Sequence, residues 1–392
     1  MRGIMTALAI AAVVVAAGCQ ESMIVGVVLP ETGEAEDYGA SLRTGIRLAF
    51  EEAQAAGNVP PGWEVVWVDS GSDPARAAEA ADSLYRRGAI MIIGGATSGE
   101  ALAMLPVAEQ YRRVLLSPSA SAPGLAGQSI WMFCLFPPDD READVAARIL
   151  LEGSQPDTPE RRVLVLRDES PYTAGLIPEF TSAAERRGGT VLEAIDVEEE
   201  GWEARLDAKL AGRPRPGSAY VAGYGDAILL GIKALRNRNF TGRIVTTSAI
   251  YAAGFLREAR TLAEGVYFPL VSFDLASTEE PVRSFVLRYT TEFGVAPDIF
   301  AAHGYDAALA TVNTLQGLAR ANPRDVQIRL RSIGDIQGVT GSLAFDDNGF
   351  IQRFPVSHFI RDGRVENEAA WRARESERIR REMEELLIRR RR

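Results

Sequence analysis

Short apolar runs alternate with longer stretches of mixed polarity along most of the chain. In the first third, β-branched runs predict buried strands at residues 24–29, 65–68, 90–93 and 114–116. Between them, apolar residues recur at helical spacing, as in Leu42, Ile46 and Ala49, and Asp73 followed by Pro74 predicts a helix start. This alternation predicts βαβ units and a largely parallel sheet.

A second series of the same kind follows a boundary near residues 136–140. It predicts strands at residues 163–166, 191–195, 219–221 and 244–247, separated by helices at 176–187, 202–210 and 226–237. Further helices are predicted at 281–293, 299–318 and 324–332, and a strand pair around the turn at 346–349. The fold class predicted is α/β, with two doubly wound lobes and a ligand cleft between them.

Length, charge and the first residues limit the function. The chain has 392 residues, more than one core usually supports, and its net charge of -10 argues against a nucleic-acid partner. Residues 4–17 form an apolar stretch shorter than a membrane span, as in an export signal. Ala16-Ala17-Gly18-Cys19 resembles a bacterial lipoprotein signal, in which Cys19 is acylated. A plain secretory signal or an uncleaved anchor is the alternative.

Patterns of catalytic and metal-binding residues are absent from the sequence. There is no Gly-x-Ser-x-Gly elbow, no phosphate-binding Gly-Lys-Ser/Thr loop and no Cys-x-x-Cys pair. His303 and His358 lie too far apart for metal-ligand spacing, and Cys134 lies in an apolar run typical of a buried structural thiol. The turn at 346–349 lacks the ligands of a calcium loop. We therefore predict a protein that is not an enzyme and that uses no cofactor or metal.

Several segments resemble a known family when they are taken in order. They are Ile24-Val25-Gly26-Val27-Val28-Leu29-Pro30, Thr97-Ser98-Gly99, Ser117-Pro118-Ser119-Ala120-Ser121-Ala122-Pro123, Glu264-Gly265-Val266-Tyr267, His303-Gly304-Tyr305-Asp306 and Gly338-Val339-Thr340-Gly341. Together they resemble the type I periplasmic binding proteins, specifically the branched-chain amino acid receptors of ABC transporters. The resemblance implies two lobes joined by three crossovers, near residues 133–138, 266–272 and 341–347.

The same resemblance assigns the domains. Residues 1–18 are the lipoprotein signal, 19–136 plus 272–342 the N-terminal lobe, and 137–271 plus 343–365 the C-terminal lobe. Residues 366–392 form an Arg/Glu-rich tail, predicted to be a solvated helix or disordered.

Ser98 is the first candidate binding residue. It follows a glycine-ended strand and precedes a helix, so its hydroxyl and the next backbone N–H groups suit a carboxylate. The alternative is that Ser98 only caps its helix. The resemblance implies that Ser98 binds the ligand carboxylate, that Ser119, Ala120 and Ser121 grip the ligand, and that three tyrosines line the pocket: Tyr38, Tyr172 and Tyr224.

Ser248 departs from the family pattern. Amino-acid receptors of this family place an acidic residue after the strand that here ends at Thr247, to pair the ligand ammonium, but Ser248 follows. A buried ammonium without a carboxylate is costly. We therefore expect an acid, an amide or another small polar ligand, unless Asp226 or Asp274 supplies the charge.

The leading functional hypothesis is a lipoprotein receptor that closes its lobes on a small ligand. The partners it implies are the ligand, ABC permease subunits and the lipid bilayer through Cys19, in the periplasm or another extracytoplasmic compartment. The alternative is a regulatory or cell-wall lipoprotein of the same fold, such as an activator of peptidoglycan synthases, or a ligand sensor that binds a protein partner.

Overall fold

Two open sheets with helices on their faces make up the structure. The computed structural model describes residues 23–60, 62–251, 261–271, 273–318 and 322–390. The predicted export signal and Cys19 lie outside these residues. Within the described ranges, no helix combines the length and apolar character needed to cross a bilayer. The α/β class with parallel sheets is confirmed.

The first sheet has five parallel strands in the order β2-β1-β3-β4-β5. The strands are β1 Met23–Leu29, β2 Trp63–Asp69, β3 Met91–Gly94, β4 Val114–Ser117 and β5 Met132–Cys134. The helices between them are α1 Glu36–Ala55, α2 Pro74–Arg86 and α3 Ser98–Tyr111. Four strands and the Asp73 cap of α2 are confirmed, whereas the three-residue β5 was predicted only as a crossover. Apolar residues of β1 and β3 are buried on both faces, as a parallel sheet requires.

The second sheet has seven strands in the order β14-β13-β10-β9-β8-β6-β7. Its parallel strands are β6 Arg162–Arg167, β7 Thr190–Asp196, β8 Ser218–Ala222, β9 Arg243–Thr246 and β10 Tyr267–Leu270. Two antiparallel strands extend it, β13 Val356–Arg361 and β14 Arg364–Asn367. The helices are α4 Asp139–Leu151, α5 Pro171–Arg186, α6 Trp202–Ala211 and α7 Gly225–Asn237. The four strands predicted between residues 163 and 247 are therefore confirmed, whereas the strand pair predicted around residues 346–349 is only an isolated antiparallel bridge between Phe345 and Ile351.

After the second sheet the chain returns to the first. It forms α8 Val282–Phe293, α9 Ile299–Leu315, α10 Pro323–Arg331 and the short pair β11 Gln337–Gly338 and β12 Gly341–Ser342. α9 crosses α1 at two glycines. A Cβ atom at Gly45 would lie 1.9 Å from the Ala301 carbonyl oxygen, and one at Gly304 would lie 2.3 Å from that of Leu42. Only glycine permits this backbone contact.

The third crossover lies later than the predicted residues 341–347. Phe350 pairs with Cys134 at the edge of the first sheet, and its side chain is buried in the first-lobe core. Gly349 has a φ of +84° and a Cβ there would lie 2.4 Å from the Met132 carbonyl oxygen. The chain therefore remains beside β5 through Ile351 and only then passes to β13.

The charged tail is helical. α11 Glu368–Arg390 begins against the second sheet, where the Trp371 ring packs edge-on against Phe359 at 5.4 Å between centroids. From residue 376 to 385 the side chains are exposed, and ion pairs such as Arg378 with Glu382 join successive turns. Of the two predicted alternatives, the solvated helix is confirmed for the described part of the tail.

Asp306 on α9 holds the segment that leads into the third crossover. Its carboxylate is fully buried and accepts hydrogen bonds from the backbone N–H groups of Val339 (2.7 Å) and Thr340 (3.0 Å) and from the Thr340 hydroxyl. The Arg353 guanidinium lies 3.7 Å away. Burial raises the pKa of Asp306, while Arg353 and these hydrogen bonds oppose that shift. The carboxylate thus joins α9 to residues on both sides of the crossover.

Replacing Asp306 by Ala should be strongly destabilising. The change leaves two buried N–H groups without their acceptor and the Arg353 guanidinium without its opposite charge, a loss of about 3–5 kcal/mol in the free energy of unfolding. Urea denaturation of the two proteins measures the difference. Asp335→Ala, at an exposed position, is the control and should stay within about 0.5 kcal/mol of wild type. Equal stability of the Asp306 and Asp335 variants would contradict this role.

Candidate ligand-binding site between the two sheets

The sequence-predicted site residues lie at the carboxyl ends of parallel strands. Ser98 comes just after β3 and the 119–121 loop after β4, both in the first lobe. Tyr172 begins α5 after β6, Tyr224 follows β8 and Ser248 follows β9, all in the second lobe. Open α/β sheets bind ligands at this edge. Contacts between the two groups show that the two edges face each other.

Ser98 is not the cap of its helix. The N-cap of α3 is Thr97, whose hydroxyl accepts from the Glu100 N–H (3.2 Å), while the Glu100 carboxylate accepts from the Thr97 N–H (3.1 Å). This capping box provides acceptors for the backbone N–H groups of Thr97 and Glu100 at the start of the helix. The alternative that Ser98 serves only as a cap is therefore wrong. Its hydroxyl is buried, 1% exposed for the residue, and has no hydrogen-bond partner among the described residues.

The loop at 119–121 is held by backbone contacts. The Ser119 hydroxyl donates to the Ala96 carbonyl oxygen (2.6 Å), and the Ala120 N–H donates to the Ser117 hydroxyl (2.9 Å). The Ser121 carbonyl accepts from the Asp139 N–H (3.0 Å), which links the loop to the start of α4. Ser119 is thus committed to shaping the loop. Ser121 is buried and its hydroxyl faces the Asp139 carboxylate.

The three tyrosines form one aromatic cluster. The Tyr224 ring lies 5.8 Å from Tyr38 and 5.2 Å from Tyr172, between centroids. The Tyr38 hydroxyl crosses between the lobes, donating to the Ala249 carbonyl oxygen (3.0 Å) and accepting from the Gly225 N–H (3.4 Å). Burial raises the pKa of all three hydroxyls, so they remain protonated donors.

Asp168 sets the position of this cluster from the end of β6. One carboxylate oxygen accepts from the Tyr224 N–H (2.9 Å) and the other from the Ser170 hydroxyl (2.6 Å). Ser170 is the N-cap of α5, which presents Tyr172. Asp168 thereby fixes two of the three tyrosine-bearing loops relative to each other.

Glu142 brings a carboxylate next to Ser248, the position after β9 where the sequence has no acidic residue. Its carboxylate accepts from the Ser248 N–H (3.0 Å), the Ser248 hydroxyl (2.9 Å) and the Tyr172 hydroxyl (3.0 Å). It is buried, and burial raises its pKa while these donors oppose the shift. Asp226 and Asp274, the two residues considered as replacements, are exposed instead. Asp274 caps a turn by accepting from the Ala276 N–H (2.9 Å).

Asp139 lies one helical turn before Glu142 and is also fully buried. Within the described part of the chain, neither carboxylate oxygen has a partner at hydrogen-bonding geometry. Burial raises the pKa of Asp139 well above its usual value; the Ser121 hydroxyl lowers it and the Glu142 charge raises it further. The hydroxyl of Tyr220 is also buried and has no hydrogen-bond partner among the described residues, and the charges of both carboxylates act on it.

Sequence reasoning missed these two carboxylates. Acidic residues in the first turn of a helix are common because they favour the positive end of its dipole, so Asp139 and Glu142 looked unremarkable. One signal was available: they are three residues apart, on one helical face, directly after an apolar crossover. That signal predicts burial of the face but not its contact with Ser248.

The histidines and the cysteine do not take part in this site. His303 is buried beside Phe136, and burial lowers its pKa well below the usual value, so it is neutral. Cys134 is buried, and burial raises the pKa of its thiol, which makes the thiolate unfavourable. Among the described residues, no three His, Cys, Asp or Glu side chains group so as to hold a metal ion.

Comparison with known proteins agrees with the architecture. A model of the periplasmic binding protein family matches residues 23–363. The chain is 23% identical over 346 residues to Leu/Ile/Val-binding protein homolog 1 of Brucella suis, covering 87% of this chain and 91% of the relative.

Two crystal structures share the fold. The leucine-binding protein LivK of Thermotoga maritima superposes with a TM-score of 0.80 at 24% identity, over 88% of this chain and 97% of that one. LivJ of Streptococcus pneumoniae, in complex with isoleucine, gives 0.76 at 22% identity, over 88% and 98%. The chain therefore belongs to the periplasmic binding protein family.

Proposed function

We propose that this protein is the extracytoplasmic solute-binding component of an ABC transporter and that it binds a small carboxylate-bearing ligand between its lobes. The relatives named above bind leucine, isoleucine or valine according to their names, and isoleucine is bound in LivJ. The protein acts by binding and lobe closure, without catalysis, and its partners are the ligand and the permease subunits.

The buried Ser98 hydroxyl carries this proposal. A hydroxyl that is removed from water without a hydrogen bond is costly, by about 1–3 kcal/mol. Because Thr97 caps α3, the Ser98 hydroxyl is left to bind an anion at the positive end of the helix dipole. A ligand carboxylate at this point satisfies the hydroxyl.

Both lobes supply further groups that can contact the ligand. Tyr172 and Tyr224 present both an aromatic face and a hydroxyl, and Tyr38 reaches them from the first lobe. Ser121 and the backbone of Ser119 and Ala120 lie next to Ser98 across the ends of β3 and β4. A ligand held by Ser98 therefore meets groups of both lobes only when they are close together, which couples binding to closure.

A ligand screen tests this function directly. Purified protein is heated with amino acids, their amides and organic acids in turn. A ligand present at about 100 times its dissociation constant should stabilise the fold by about 2.7 kcal/mol, seen as a rise in melting temperature. If no small molecule raises the melting temperature, while the protein captures a protein partner, the regulatory alternative is correct.

Ser98→Ala should weaken the ligand found in that screen. Loss of a hydrogen bond to a charged group costs about 1.5–3 kcal/mol, equivalent to an affinity loss of at least about tenfold. The melting temperature without ligand should not fall, because Thr97 still caps α3. Titration calorimetry measures both proteins, with Ser182→Ala, exposed on α5, as the control. Unchanged affinity in the Ser98 variant would rule out the carboxylate site.

We also infer that the protein is exported and tethered to a membrane by a lipid on Cys19. The support is the sequence Ala16-Ala17-Gly18-Cys19 after an apolar stretch. In cells given radioactive palmitate, the wild-type protein should carry the label in the membrane fraction and Cys19→Ala should carry none. Cys134→Ala, which removes a buried thiol, is the control and should keep the label. A labelled Cys19→Ala variant would contradict the assignment.

A further inference from the structure

We propose that Asp139 and Glu142 form a cation-recognition site for a ligand that carries two positively charged nitrogens besides its carboxylate, the chemistry of a basic amino acid. This inference rests on the proposed function and extends it from a carboxylate-bearing ligand to a cationic one.

Glu142 is placed to meet the first cation. It contacts Ser248, at the position after β9 where the family resemblance puts the partner of the ligand's α-ammonium. Three donors already stabilise its ionised form, from Ser248 twice and from Tyr172. One carboxylate delivered from α4 thus replaces the acid that the strand end lacks, and it removes the reason to exclude amino acids as ligands.

Asp139 is left for the second cation. It is fully buried, yet both of its oxygens lack a hydrogen-bond partner among the described residues, in contrast to Glu142. Burial raises the pKa of Asp139 and so favours its neutral form in the free protein, whereas a cation brought next to it favours the ionised carboxylate. Since Glu142 accounts for a single α-ammonium, Asp139 is the carboxyl group left to bind a second positively charged nitrogen.

The surroundings of the pair suit a cation as well. Tyr172 contacts Glu142, and both carboxylates act on the buried hydroxyl of Tyr220, which has no partner of its own within the described ranges. Aromatic faces attract cations, and the two carboxylates would repel a second anion. Leucine or a dicarboxylic acid would leave Asp139 unpaired or meet it with like charge.

Matched ligand pairs test the proposal on the purified full-length protein in mild detergent. L-Ornithine and L-norvaline have equal side-chain carbon counts and differ by one ammonium, as do L-lysine and L-norleucine. Titration calorimetry should give ornithine or lysine a dissociation constant at least about thirtyfold lower than its apolar counterpart, the usual effect of one buried charge pair. Norvaline binding as tightly as ornithine, with norleucine as tight as lysine, overturns the proposal.

Variants of Asp139 and Glu142 test which positively charged nitrogen of the ligand each carboxylate binds. Asp139→Asn keeps the side-chain shape and should weaken the basic amino acid by about thirtyfold or more while changing norvaline by less than about threefold. Glu142→Gln should weaken both members of each pair. Asp140→Asn is the matched control, since Asp140 is exposed beside Asp139 and should change neither. Unaltered ornithine affinity in Asp139→Asn overturns the assignment.

Different results would contradict the cation site and the solute-binding function. If wild type binds norvaline or leucine best and Ser98→Ala weakens that binding, the cation site is wrong and the solute-binding function stands. If wild type binds none of the amino acids, amides and acids, both are wrong. The ligand-pair comparison needs no variant, so misfolding of Asp139→Asn, detected by circular dichroism, does not remove the test.

Discussion

Burial of carboxylates is the constraint on which this structure depends, because a charge removed from water must find donors or a cation. Three carboxylates meet this constraint in different ways. Asp306 is surrounded by donors of the protein itself and fastens α9 to the third crossover. Glu142 accepts hydrogen bonds from two elements, from Tyr172 on α5 and from Ser248 after β9. Asp139 has none among the described residues. The series runs from a purely structural group to one whose complement, in our proposal, comes from the ligand.

The topology explains why these groups meet. Every strand of a parallel sheet delivers its following loop to the same edge, so two such sheets set edge to edge collect loops from the whole chain. Ser98 and Ser248 are 150 residues apart in sequence but belong to the facing edges. α4 is the first element after the first crossover, and its N-terminus therefore starts at the junction of the lobes. Asp139 and Glu142, in the first turn of α4, therefore lie at the site although they do not belong to a loop that follows a strand.

Much of the fold could be predicted from the sequence because most strands and helices have a characteristic local pattern of residues. Buried parallel strands are continuous apolar runs, and Asp73 with Pro74 announces a helix start. β5 was missed as a strand because three residues carry too little periodicity, and Phe350 joins it from a distant segment. Thr97 rather than Ser98 caps α3, a choice between neighbours that depends on backbone angles at Thr97. Glu142 was missed because its partner, Ser248, lies 106 residues away.

Tyr38 has a consequence for how the lobes move. Its hydroxyl bonds Ala249 and Gly225 of the opposite lobe through protein atoms alone. Separation of the lobes exchanges these bonds for bonds to water, so the contact favours the approached arrangement even before any solute is counted. Under the function proposed above, a solute adds its own interactions to an equilibrium that this contact already biases, and the apparent affinity depends on the fraction of free molecules that keep the Tyr38 contact. Tyr38 thus helps to determine the solute concentration at which the protein becomes half-saturated, whichever solute it binds.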